Sequence, residues 1–182
     1  IVSPEFKAAG HKVYVLRPES DENGLPKTDS LIALYNKVTE ILRSGKAVSA
    51  YTPGMGGIAE AVMKMSFGNG VGFKYANTAT VNEIFGYDYA SFILEATANL
   101  DGELLGETTS DGRITLGGES LSIEELLSAY ENKLESVYRC NIKNSGTKFE
   151  NFSYSVKEHK SAAIKTAKPK VLIPAFPGTN CE

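Results

Sequence analysis

TPGMGGIAEAV, residues 52–62, sets Gly54, Gly56 and Gly57 between the apolar run KAVSAY (46–51) and an alanine-rich segment with helical spacing. The first run reads as a strand, and the segment after the glycines reads as a helix from about Gly57 to Phe67, stopped by Gly68 and Gly70. A glycine-rich strand-to-helix junction has two physical uses. Small residues let the backbone approach a ligand, and free amides at the positive end of the helix dipole favour an anion. The same glycines also serve a tight turn that needs unusual dihedrals and close helix-to-sheet packing. The residues alone leave both uses open.

Two narrower phosphate motifs do not fit. Gly54-Met55-Gly56-Gly57-Ile58-Ala59 has the form G-x-G-x-x-A, but the dinucleotide fingerprint needs an acid about twenty residues on for the ribose. Lys74, Tyr75 and Ala76 stand there instead. A nucleotide P-loop needs Lys and Ser or Thr after its last glycine, where this chain has Ile58 and Ala59.

Outward from the junction the pattern alternates. HKVYVL (11–16) is a strand, PESDENGLPK (18–27) a loop, and Leu31, Leu34, Tyr35, Val38, Ile41 and Leu42 recur at helical spacing. Thr28, Asp29 or Ser30 is available to cap that helix, and Gly45 ends it. Downstream, VGFKY (71–75) and ASFILEAT (90–97) are strands, with NEIFGYD (82–88) a helical turn or loop between them. LLGETT and RITLGG alternate around Asp111-Gly112, which predicts a hairpin there. Ser122 and Glu125 form an S-x-x-E capping box ahead of Leu126, Leu127, Tyr130, Leu134 and Val137, predicting a long helix over 120–138. KEHKSAAIKTAKPK reads as a linker, and VLIPAFPGTN (171–180) restarts as an apolar strand. This order of elements predicts an α+β domain, its helices packed on a mixed or mostly antiparallel sheet.

Composition narrows the function classes. The chain has 182 residues, 42% hydrophobic and 23% charged, with a net charge of −3, the profile of one domain plus a short appendage. Acids and bases are interspersed, so no basic stripe exists to meet a nucleic acid or an anionic membrane. Cys140 and Cys181 lie far apart without metal-ligand spacing, and the expected setting is reducing and cytoplasmic. No apolar run approaches the roughly 20 residues of a membrane span. Both ends, Ile1 and TNCE, read as cuts in a longer polypeptide. His11 and His159 read as solvated or hydrogen-bonded, Cys140 as a small apolar group, and Met55, Met63 and Met65 as core filler. Asp101, Glu103, Glu107 and Asp111 sit around turns, where solvation is the first reading and a magnesium role the alternative.

Two stretches carry a resemblance. PKVLIPAFPGTNCE (169–182) resembles the opening of the glutaminase domain of the phosphoribosylformylglycinamidine synthases, the purine-biosynthesis amidotransferases. FKAAGHKVYVL (6–16) and AYTPGMGGIAEAVMKMSFGNGVGF (50–73) resemble the last synthetase subdomain of the same family, of the type shared with aminoimidazole ribonucleotide synthetase. The resemblance implies a fold like the C-terminal domain of that synthetase over 1–156, a linker over 157–169 and a truncated first glutaminase strand over 170–182. It implies a parent reaction in which ATP and magnesium activate formylglycinamide ribonucleotide for amidation by ammonia from glutamine. The family loop equivalent to 52–57 is commonly Asp-x-x-Asp-Gly-Gly at the mouth of the nucleotide and phosphate sites. Gly56 and Gly57 match its paired glycines, whereas Thr52 to Met55 lack its acids, so no metal is expected there. Gly54, Gly56 and Gly57 become the implied phosphate or nucleotide residues, and Gly178 and Asn180 the implied glutamine-site loop. Cys181 is read as structural, because in triad glutaminases the nucleophile lies downstream on an elbow.

The family carries two copies of this subdomain, and one of the two related clefts holds a nucleotide that does not turn over. The last copy is thus expected to scaffold, and the chain alone to hold no catalytic residue. Its expected partners are the other synthetase subdomains and the glutaminase domain, or a homodimer that covers exposed apolar faces. A stand-alone phosphate- or nucleotide-binding module is the alternative.

Overall fold

Runs such as VYVL and FIL are apolar on both faces and belong where a sheet is covered twice. The computed structural model describes residues 2–139, 146, 150, 153, 155, 163, 165–168 and 170–180. Its elements are β1 (Lys12–Leu16), α1 (Thr28–Arg43), β2 (Ala47–Tyr51), α2 (Gly57–Phe67), β3 (Gly72–Tyr75), α3 (Val81–Ile84), β4 (Phe92–Ala96), β5 (Glu103–Thr109), β6 (Arg113–Leu116), β7 (Glu119–Ser122) and α4 (Ile123–Asn132). The seven strands form one sheet in the order β2-β4-β1-β5-β3-β6-β7. Every pairing among them is antiparallel except β3 with β6. This is the α+β architecture with a mixed sheet that the sequence predicts.

β1 and β4 lie inside the sheet and are buried on both sides. Val13, Val15 and Ile93 pack with Ile58, Val62 and Met65 of α2, whereas Tyr14, Leu16, Leu94 and Ala96 pack with Leu34 and Val38 of α1. The two longest helices therefore cover opposite faces. The α2 side also takes Phe6 from the N-terminal segment, which is fully buried and stacks on Phe73 at 5.6 Å between ring centroids. Burying such a ring contributes roughly 2–3 kcal/mol.

Three local expectations give way. Asp111-Gly112 does not close a hairpin, because β5 and β6 lie on opposite sides of β3. The chain from Thr109 to Arg113 steps across the start of β3, where a Cβ on Gly72 would meet the Thr109 hydroxyl at 2.4 Å and the Arg113 carbonyl at 2.7 Å. Gly72 is bare so that the crossing fits. The hairpin lies one step later, where β6 pairs β7 from Arg113–Ser122 to Leu116–Glu119. At α1 the cap is Lys27 without a side-chain hydrogen bond; Thr28 already lies inside the helix, and the Ser30 hydroxyl instead accepts from the Glu19 amide at 2.8 Å. Helix α4 has its full capping box from Ser122 and Glu125 but ends at Asn132, and Leu134 and Val137 are exposed.

By contacts the chain divides into residues 1–142 and 143–182. In the second unit, residues 171–176 form no strand and Val171, Leu172, Ile173 and Phe176 are exposed. A strand needs a neighbour for its backbone groups, and none is present among the described residues. No helix among the described residues is long and apolar enough to cross a membrane.

Candidate functional site

The glycine junction folds as a tight turn with its own anion in place. The Gly57 amide donates to the Gly54 carbonyl at 3.1 Å, and Gly57 takes a φ of +65°. A Cβ there would meet the Gly86 carbonyl at 2.5 Å and the Ile84 carbonyl at 2.7 Å. Gly57 is thus required twice, by its backbone conformation and by the close approach of the end of α3. The amide of Gly56, the residue just before the helix, is engaged by the Glu60 carboxylate at 2.9 Å. The Lys64 ammonium at 2.6 Å, and then the Gly56 amide, hold Glu60 below the usual carboxylate range. Lys64 in turn is raised by Glu60 and lies 5.6 Å from the centre of the Tyr130 ring. An acid in the first turn also suits the helix dipole. One donor of the turn, the Gly56 amide, is thus taken by a side chain of the same helix.

Beside this turn runs a cleft of about 380 Å³ between α2, α3, β6, β7 and α4. Met63, Ile84, Phe85, Leu116, Leu121 and Leu126 give it apolar walls, with Gly56 and Glu60 at one end. Among the described residues its charged lining groups are the carboxylates of Glu60 and Glu119. Tyr75 also lines it, buried to 4% exposure, and burial pushes its phenol well above the usual range.

A second polar cluster escaped the sequence reading. The Glu95 carboxylate has no exposed surface, and it accepts the Lys7 amide at 2.8 Å, the Ala8 amide at 3.3 Å and His11 Nδ1 at 2.7 Å. It fixes the N-terminal segment over the sheet, together with the Phe6 amide on the Met65 carbonyl and the Asn69 amide on the Phe6 carbonyl. His11 is hydrogen-bonded, as expected of it. The available signal was an acid inside FILEA whose strand alternation puts it on the face of Ile93.

Of the other candidates, Gly178 has a φ of +94° in a turn where the Thr179 amide donates to the Phe176 carbonyl at 3.0 Å, and Asn180 is exposed. Met63 and Met65 line the cleft and the core, whereas Met55 is 81% exposed and fills nothing. Asp101 pairs with Lys37 and Asp111 accepts from Thr109 and Arg113, as solvated turn acids do. Glu103 pairs with Arg17. Cys140, Cys181 and His159 lie outside the described residues. Among the described residues no three His, Cys, Asp or Glu side chains converge.

Solved structures share this fold. T. maritima PurL complexed with FGAR matches at a TM-score of 0.58 and 10% identity, over 85% of this chain and 33% of that one. Thermotoga maritima phosphoribosylformylglycinamidine synthase II matches at 0.57 and 13%, over 84% and 30%. T. maritima PurL complexed with ADP matches at 0.54 and 13%, over 69% and 26%. No protein-family model matches the chain. The likeness establishes an α+β fold of the kind found in these synthases, and the chain spans a third or less of their length.

Proposed function

We propose that the chain is part of a phosphoribosylformylglycinamidine synthase, a purine-biosynthesis ligase, and that this part positions its neighbours without turning over substrate. The carrying observation is the agreement between the fold neighbours and the residue motifs TPGMGG and PAFPGTNCE. In this reading residues 1–156 form the last synthetase subdomain, 157–169 a linker and 170–182 the first strand of a glutaminase domain. ATP and glutamine are handled by the parent protein, with the other synthetase subdomains and the glutaminase domain as partners. The exposed apolar residues at 171–176 suit a strand whose neighbours lie elsewhere. Scaffolding is supported by the Glu60 cap on the glycine turn and by a cleft with no lining cation among the described residues. The test is genetic and enzymatic together. A reading frame that contains this chain is expected to restore purine-independent growth to cells lacking the synthase, while the purified chain hydrolyses neither ATP nor glutamine; turnover by the chain alone sinks the reading.

A second reading rests on the glycine run opening α2, whose dipole end favours an anion. Here Gly54, Gly56 and Gly57 hold a phosphate or nucleotide, which takes the Gly56 amide over from Glu60. Glu60→Gln then tightens phosphate binding in calorimetry, whereas unchanged silence in both proteins removes this reading.

A further inference from the structure

The cleft beside the glycine turn carries chemistry of a different kind from phosphate binding. We infer that it takes a neutral, largely apolar small molecule bearing one hydrogen-bond acceptor, which Tyr75 recognises. Its volume of about 380 Å³ falls within the range of small-molecule sites, roughly 300–1,000 Å³, and apolar walls with few polar groups are what such sites present. Buried tyrosine hydroxyls normally find a partner. Tyr75 is 4% exposed and lines the cleft, and among the described residues no protein group bonds its hydroxyl, which is not one of the fully buried unpartnered atoms. Its phenol stays protonated, since burial raises it, so it has a proton to donate into the cleft and nothing in the fold to receive it.

Charge decides the ligand class. Among the described residues the lining holds the carboxylates of Glu60 and Glu119 and no cation, and the nearby Lys64 is engaged by Glu60, so an anion finds no free positive partner there. A cation gains little either. Glu60 is already paired with Lys64, and Glu119 is exposed, where an ion pair is screened by water. An uncharged molecule that buries its apolar body against Met63, Phe85 and Leu126 and offers a carbonyl to Tyr75 meets every constraint. This conclusion stands whether or not the glycine turn ever holds phosphate.

The probe is prodan, a neutral naphthalene ketone whose emission shifts to the blue in apolar surroundings. Titration into the full chain is expected to show a saturable blue shift with one site. Tyr75→Phe is expected to weaken it about fivefold, the loss of one hydrogen bond to a neutral group, while melting no lower than the parent because the hydroxyl has no partner to lose. Ala59→Trp, which fills the cleft from α2, is expected to abolish saturation with the far-UV spectrum unchanged. An anionic naphthalene dye, ANS, is expected to bind at least tenfold more weakly at this site. Prodan binding that fails to saturate, equal affinity in Tyr75→Phe, a lower melting point for that variant, or ANS binding as tight as prodan would each overturn the proposal.

Discussion

Glu95 and Glu60 make the same bond in two settings. Glu95 accepts two backbone amides and Glu60 one, each from an irregular segment, yet the Glu95 side chain has no exposure and that of Glu60 has 31%. The Glu95 carboxylate is closed to water, and removing it takes the acceptor from the Lys7 and Ala8 amides and from the His11 ring. Around Glu60 water can replace the carboxylate at the Gly56 amide at little cost. The first bond locks the fold. The second caps a turn and can be exchanged, which is why the glycine junction, and not the buried acid, is where a ligand reading arises at all.

The contrast is broken most directly at Glu95. Glu95→Ala is expected to destabilise the protein by about 4 kcal/mol, as loss of one member of a buried polar cluster does, read as a shift in the urea midpoint with an unchanged slope. A loss below about 1 kcal/mol would make the two sites equivalent. Gly57→Ala comes next, at about 2–3 kcal/mol, because the added carbon meets the Gly86 and Ile84 carbonyls in a left-handed conformation. Tolerance of alanine there would remove the packing account of the glycine run. Ser122→Ala, which deletes the α4 cap, is expected to cost about 1 kcal/mol, read in the same unfolding curves. Glu60→Gln is the smallest, within about 0.5 kcal/mol, since its pair with Lys64 is partly solvated.

Acid weakens the exposed carboxylate bonds in a predictable order. Lys7 and then Ser3 hold Glu5 down from 4.5 to about 2, and Glu60, Glu83 and Glu125 are also lowered, chiefly by Lys64, Thr80 and Ser122. A carboxylate with a lowered folded value contributes stability above its unfolded value and loses it as pH falls through the folded one. Urea midpoints are therefore expected to hold from pH 7 to about 5 and to fall between about 4.5 and 2, with a shallower fall in Glu60→Gln. Midpoints that rise on acidification would show the signs of these shifts to be reversed.

Much of the architecture was legible because it is local. The spacing of Leu34 and Val38, the glycines around α2 and the Ser122–Glu125 box each act within a few residues of chain, and all appear in the structure. What escaped is long-range. Asp111-Gly112 has hairpin chemistry, yet which strand sits beside β5 depends on β3, more than thirty residues earlier, and on the bare Gly72 that lets the chain cross it. Glu95 reads as one more strand residue until folding brings His11 and the Lys7 amide to it. The glycine turn was half legible. Its position was plain, but the choice between anion grip and packing turn rests on Glu60 and on the approach of α3, which strand-to-helix spacing does not encode.

The glycine turn either is capped by its own helix or is open to a nucleotide. Titrating the purified chain with magnesium and ADP in a calorimeter tests this directly. Heats no larger than dilution are predicted for a turn that Glu60 already caps; a saturable one-site isotherm in the unmutated chain would contradict it.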